Sequence, residues 1–175
     1  DSGVVAVYST EAAFAALKSD GSVQAWGNNT GGWLYNYDTV AYNLMRSGVV
    51  SIYSSQYAFV ALKSNGGLVM WGGAGWTIAD VSSSISSGVV AVYSTQYAWA
   101  ALKNDGSVIT WADQNFGGNS SVYNNTTNTY TSVASSLTSG FVSLWSNQHA
   151  FAALKNDGSV ITWGWGSYGG NSSSV

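Results

Sequence analysis

Ser2-Gly3-Val4-Val5-Ala6-Val7-Tyr8-Ser9-Thr10-Glu11-Ala12-Ala13-Phe14-Ala15-Ala16-Leu17-Lys18-Ser19-Asp20-Gly21-Ser22-Val23-Gln24-Ala25-Trp26 is the stretch on which the fold turns. Val4 to Tyr8 is too short and too rich in β-branched residues for a helix and reads as a strand. Ala13 to Leu17 is apolar on both faces; five residues between turn signals nucleate a helix poorly, and small side chains on a strand let neighbouring sheets approach. It reads as a central strand. Asp20-Gly21 between two apolar runs is a hairpin signal, because the turn needs a residue at positive φ. Ser22 to Trp26 is then the partner strand.

The same 25-residue pattern returns without internal gaps at Ser47–Trp71, Ser87–Trp111 and Ser139–Trp163. A recurring core with variable spacers marks an array or propeller, in which each unit covers its neighbour's apolar face. The expectation is an all-β chain of short antiparallel meanders, β-propeller-like. It forms one repeat domain over 1–175 with units 2–46, 47–86, 87–138 and 139–175. The spacers read as surface loops or a fourth outer strand, and Ser132 to Leu137 reads as a helical turn. Gly169-Gly170-Asn171-Ser172-Ser173 repeats Gly117-Gly118-Asn119-Ser120-Ser121. The chain therefore stops within a spacer: either its ends meet in a closed ring or it is an excerpt of a longer array.

A Val-rich strand, an alanine-rich strand, a turn and a strand ending in Trp-Gly resemble the repeats of the regulator of chromosome condensation family. Ser22-Val23-Gln24-Ala25-Trp26-Gly27 and Ser159-Val160-Ile161-Thr162-Trp163-Gly164 carry the likeness, and Gly31-Gly32, Gly117-Gly118 and Gly169-Gly170 stand where that family often places a Gly-rich motif. The resemblance implies propeller blades, and only the fold is carried over from it. His149 fills the family's histidine position once, with Ala12, Tyr57 and Tyr97 in the other copies. The short, Ser-rich form is similar to variants of this repeat in large secreted or surface proteins.

Composition narrows the function. Charged residues are 7% of the 175 residues and the net charge is −3, against about 25% charged in an ordinary domain. Such a surface suits shielding by sugars, burial in an assembly, or binding to neutral polymers. Five basic residues argue against nucleic acid as a partner, since phosphates need clustered Lys and Arg. No apolar run has the length of a membrane span. Without Cys there is no disulfide scaffold or thiolate metal site. One His, no Cys and eight scattered acids give no convergent titratable set, so the chain reads as a non-enzyme with no cofactor and no metal.

Lys18, Lys63, Lys103 and Lys155 recur at one repeat position and read as residues entering a turn, their stems along the strand edge. Asp20, Asp105 and Asp157 read as turn residues. Trp26, Trp71, Trp111 and Trp163 recur at one position and read as core or inter-blade packing. Aromatics outside the pattern, chiefly Trp33, Tyr35, Tyr37, Trp76, Phe116, Trp165 and Tyr168, read as a binding or assembly surface. Sequons at Asn28, Asn119, Asn124, Asn125 and Asn171 are candidate glycosylation sites.

These features lead to one expectation with an alternative. The first is a secreted or cell-surface structural or adhesive protein that assembles with itself through low-charge aromatic faces, as a glycosylated filament or coat subunit. The alternative is a lectin-like module whose partners are glycans.

Overall fold

In the computed structural model residues 2–28, 43–73 and 83–173 are described, and they form fourteen strands. Contacts divide the chain into two compact units, Asp1–Thr77 and Ile78–Val175, with the boundary inside the second spacer.

In the first unit β1 (Val4–Ser9), β2 (Ala13–Lys18) and β3 (Val23–Gly27) form one antiparallel sheet. β4 (Val49–Ser54), β5 (Ala58–Lys63) and β6 (Leu68–Gly72) form a second. The second unit holds a third meander of β7 (Val89–Ser94), β8 (Ala98–Lys103) and β9 (Val108–Ala112). Its other sheet has five strands in the order β11-β10-β14-β13-β12, from β10 (Ser121–Asn124), β11 (Thr129–Ser132), β12 (Phe141–Ser146), β13 (Ala150–Lys155) and β14 (Val160–Trp165). The alanine-rich run is the central strand of every meander; its small side chains are buried in the first three, and in the fourth Ala150 and Ala153 are buried while Ala152 is half-buried. The Ser132–Leu137 stretch contains a 3₁₀ turn at Ala134–Ser136.

A β-bulge sorts the side chains of the opening strand. Val4 pairs with Lys18 while Ala6 pairs with Leu17, and the same shift recurs at Val49, Val89 and Phe141. Strict alternation would put Val5 and Val7 on one face. The extra residue instead brings Val4 and Val7 to one face, with Phe14 and Trp26, and leaves Val5 and its equivalents Val50, Val90 and Val142 exposed.

The first, third and fourth meanders thus have a bulky face and a face of smaller, alanine-bearing positions; in the second, Val60 and Met70 fill two of those positions. In the first unit Ala13, Ala15, Leu17 and Ala25 of one sheet pack on Val49, Ile52, Phe59, Ala61, Val69 and Trp71 of the next. In the second unit Ala98, Ala100, Leu102 and Val108 pack on Phe141, Leu144, Phe151, Ala153 and Trp163. The bulky face carries a stacked cross-strand pair, Phe59 with Trp71 at 5.1 Å and Phe151 with Trp163 at 5.3 Å between ring centroids.

Backbone bonds fasten the same contact at both ends of the sheets. At the hairpin end Val49 N–H donates to Gly21 O and Phe141 N–H to Gly106 O, each at 3.0 Å. At the other end Glu11 N–H donates to Gln56 O and Gln96 N–H to Gln148 O, each at 2.9 Å. The contact is therefore one geometry used twice, not two accidental packings.

The hairpin joining the second and third strands has its glycine at positive φ, 76° at Gly21, 75° at Gly106 and 85° at Gly158. Three of these turns carry an Asp whose Oδ1 accepts from the N–H and the hydroxyl of the Ser two residues on: Ser22, Ser107 and Ser159. Those bonds, the Ser hydroxyl first, hold the Asp20, Asp105 and Asp157 carboxyls below their ordinary range. Asn65 does the same work in the second repeat through Gly67 N–H.

The third spacer does more than form a surface loop. It folds into the β10–β11 hairpin, and β10 pairs parallel with β14 at Val122 with Gly164 and Tyr123 with Trp165. A segment that follows the third repeat thereby extends the sheet of the fourth.

At the residue after the recurring Trp the chain turns through positive φ, at Gly27, Gly72 and Gly164 but also at Ala112, whose φ is 82°. An L-residue there crowds its Cβ against the backbone, at about 1–2 kcal/mol. Ala112→Gly should raise stability by about 1 kcal/mol, after the added chain entropy of Gly is subtracted. Equilibrium denaturation of the pair of proteins checks the sign.

Candidate functional site

Trp71, Trp111 and Trp163 are core, as their recurrence implies, but Trp26 is 43% exposed. The difference lies in the neighbour, since residue type and strand position are the same. Val7 is 56% exposed where Ile52 and Leu144 are 2%, and Phe14 is 47% exposed where Phe59 is 0%. Val4, Val7, Phe14 and Trp26 thus form an uncovered bulky face on the first sheet, with Phe14 and Trp26 stacked at 5.6 Å.

The fourth repeat shows the converse. Its small face carries Trp145, Ala152, Leu154, Val160 and Thr162, the positions of Tyr8, Ala15, Leu17, Val23 and Ala25 in the first. Ala15 and Ala100 are fully buried, whereas Ala152 and Leu154 are half-buried and Val160 and Trp145 are about half exposed. A groove of about 220 Å³ opens here, lined by Trp145, Asn147, Ala150, Phe151, Ala152 and Gly169 among others. The turn glycines agree. A Cβ on Gly21 would stand 2.8 Å from Gly48 N and one on Gly106 2.9 Å from Gly140 N, yet on Gly158 it would meet nothing within 4 Å.

The spacer aromatics divide. Trp33, Tyr35, Tyr37 and Trp76 lie outside the described residues. Phe116, expected on a surface, is buried instead: its loop turns back on the third repeat, with Gly118 N–H donating to Asp113 O and Asp113 N–H to Tyr97 O. Its ring packs edge-on to Tyr97 at 4.8 Å and to Trp165 at 5.5 Å. Trp165 is half-buried in that cluster, and its Nε1 has no acceptor. Tyr168 is exposed and stacks on His149 at 4.3 Å. His149 is therefore an aromatic packing partner in a polar loop.

Asn28, Asn119, Asn124, Asn125 and Asn171 are all exposed. Asn124 Oδ1 accepts from Thr126 and Thr127 N–H in the β10–β11 turn, and Asn171 Oδ1 from Ser173 N–H. Two of the recurring lysines reach back to the spacer that precedes their own repeat. Lys63 Nζ donates to Leu44 O and Ser47 O, Lys103 Nζ to Ser84 O at 2.8 Å, and Lys155 Nζ lies 5.0 Å from the Phe141 ring centre. Among the described residues no group of three His, Asp or Glu could hold a metal ion. Among them, too, no helix is long and apolar enough to cross a membrane.

Among solved structures the chain superposes on human WBSCR16 with a TM-score of 0.60 at 19% identity, covering 94% of this chain and 48% of that one. Yeast RCC1 (Prp20), from its complex with Kap60, also gives 0.60, at 18% identity over 95% of this chain and 45% of that one. The fold is that of the RCC1-like β-propeller repeat. The same repeat architecture matches the CRINKLY WD40 ectodomain of the Arabidopsis thaliana receptor kinase ACR4, with a TM-score of 0.53, 14% identity, and 92% and 49% coverage. The chain spans about half the length of each of these RCC1-like and related structures. No protein-family model and no curated protein sequence matches it.

Proposed function

We propose that this chain is an extracellular structural or adhesive β-repeat protein that associates with itself through low-charge apolar faces, as a subunit of a filament or surface coat. The uncovered face of Val4, Val7, Phe14 and Trp26 carries this reading. Those residues are core at the equivalent places of the second and fourth repeats. A contiguous apolar patch on a soluble protein marks an interaction site. Each such side chain is already about half buried, so covering the rest would contribute roughly half of the 1.5–3 kcal/mol of full burial. With 7% charged residues, little electrostatic repulsion opposes association.

An exterior setting is supported by the five exposed sequons, where glycans would supply the solubility that charge does not. The similar ACR4 structure is itself a receptor-kinase ectodomain. Light scattering of the eluting protein over a range of concentrations tests the reading. The mass should rise above 18.3 kDa with concentration, and a constant monomer mass overturns it.

A second reading, glycan binding, is favoured by the groove beside Trp145, where an exposed indole stands next to Asn147 and Ser146. Ligand quenching of Trp fluorescence against a glycan panel tests it, and flat titrations remove it.

A further inference from the structure

The first repeat exposes a bulky face, and the fourth exposes a small one. Within each unit a small face is already matched to a bulky face of the same composition. Ala13, Ala15, Leu17 and Ala25 receive Val49, Ile52, Phe59 and Trp71, and Ala98, Ala100, Leu102 and Val108 receive Phe141, Leu144, Phe151 and Trp163. The chain therefore carries, unpaired, both halves of its own internal contact.

We propose that the occupant of each uncovered face is a second copy of this chain, joined head to tail. Val4, Val7, Phe14 and Trp26 of one molecule seat on Trp145, Ala152, Leu154 and Val160 of another. This rests on the self-association reading and names its surface: the repeat core, not the spacer aromatics, makes the contact.

The backbone is prepared for the same docking. In both internal contacts the hairpin glycine of one repeat lies against the opening glycine of the next, Gly21 against Gly48 and Gly106 against Gly140. The glycine's carbonyl there accepts from the following residue's N–H, Val49 or Phe141. Gly158 has the same positive φ, 85°, and open space where that neighbour belongs. Gly3 and Val4 of the second copy are the matching residues, with Gly158 O accepting from Val4 N–H. At the opposite end Gln148 N–H would meet Glu11 O, as Gln96 N–H meets Gln148 O within the second unit.

The two faces differ, so the contact is heterologous and propagates. It closes into a ring if the rotation allows and otherwise extends as a filament. A symmetric dimer through one face is not what this complementarity builds, because two bulky faces do not interdigitate as bulky and small faces do.

Two single variants of the full chain test the polarity. Phe14→Glu blocks the bulky face and Val160→Glu the small one; both side chains are about half exposed, so the fold should survive, as far-UV circular dichroism and a thermal melt would show. Each variant alone should self-associate roughly 100-fold more weakly, because a charge is buried without a partner. Mixed in equal amounts they retain one intact face each, and should give a 1:1 dimer that grows no further.

Folded variants that stay monomeric when mixed overturn the head-to-tail contact. Variants that each assemble like the parent move the surface elsewhere while leaving self-association standing. A parent chain that is monomeric at every concentration overturns both. Trp26→Glu and Trp145→Glu repeat the same mixing test through other residues of the two faces, should either first variant fail to fold.

Discussion

Trp163→Ala is expected to lower the unfolding free energy by about 3–5 kcal/mol, while Trp26→Ala, at the same place in the repeat, should cost under about 1 kcal/mol. Trp163 is fully buried, stacked on Phe151 and packed between the two sheets of the second unit. Truncation there leaves a cavity among the core side chains of two packed sheets, which relax only partially into it. Trp26 keeps its stacking on Phe14, but its outer face meets solvent. Trp163→Phe separates size from polarity. The Trp163 Nε1–H is buried without an acceptor, so losing it removes a desolvation penalty of about 1–3 kcal/mol that offsets the smaller ring. The expected order of urea midpoints is Trp26→Ala above Trp163→Phe above Trp163→Ala, read at a dilution where the protein is monomeric. Equal losses at Trp26 and Trp163 would mean that the first sheet is covered after all.

Glycine substitutions at the hairpins should divide in the same way. Gly106→Ala is expected to cost about 3–4 kcal/mol and Gly158→Ala about 1–2 kcal/mol. Both glycines have positive φ, 75° and 85°, so both substitutions strain the backbone. Only at Gly106 does the new methyl group also strike backbone, 2.9 Å from Gly140 N and 3.3 Å from Phe141 N and O. This backbone cannot yield without straining the bond from Phe141 N–H to Gly106 O. The difference between the two costs measures that inter-sheet seam. Equal costs in the monomer would show that the seam contributes nothing.

The strands were legible because their signals are local. Val4 to Tyr8, Ala13 to Leu17 and the Asp20-Gly21 turn each declare a conformation within a few residues, and the fourfold recurrence repeats the statement.

Phe116 was not. Its position in a spacer suggested a surface, but the loop from Asp113 to Gly118 folds back and buries the ring between Tyr97 and Trp165, a contact that no local pattern encodes. The parallel pairing of β10 with β14 was hidden too, since it joins Val122 to Gly164 across 42 residues of chain. Nor does the order Val-Val-Ala-Val reveal which valine is core, because the bulge decides that against strict alternation.

By itself, the order of residues determined the repeat, its three strands and the tight turn. These follow from backbone preference and side-chain size, which each residue carries wherever it stands. Only the tertiary structure decided which faces are covered. Phe14 and Phe59, Trp26 and Trp163, and Gly106 and Gly158 are the same residues in the same local conformation. Burial is a property of the neighbour, and Trp26 and Gly158 lack the packed neighbour that Trp163 and Gly106 have.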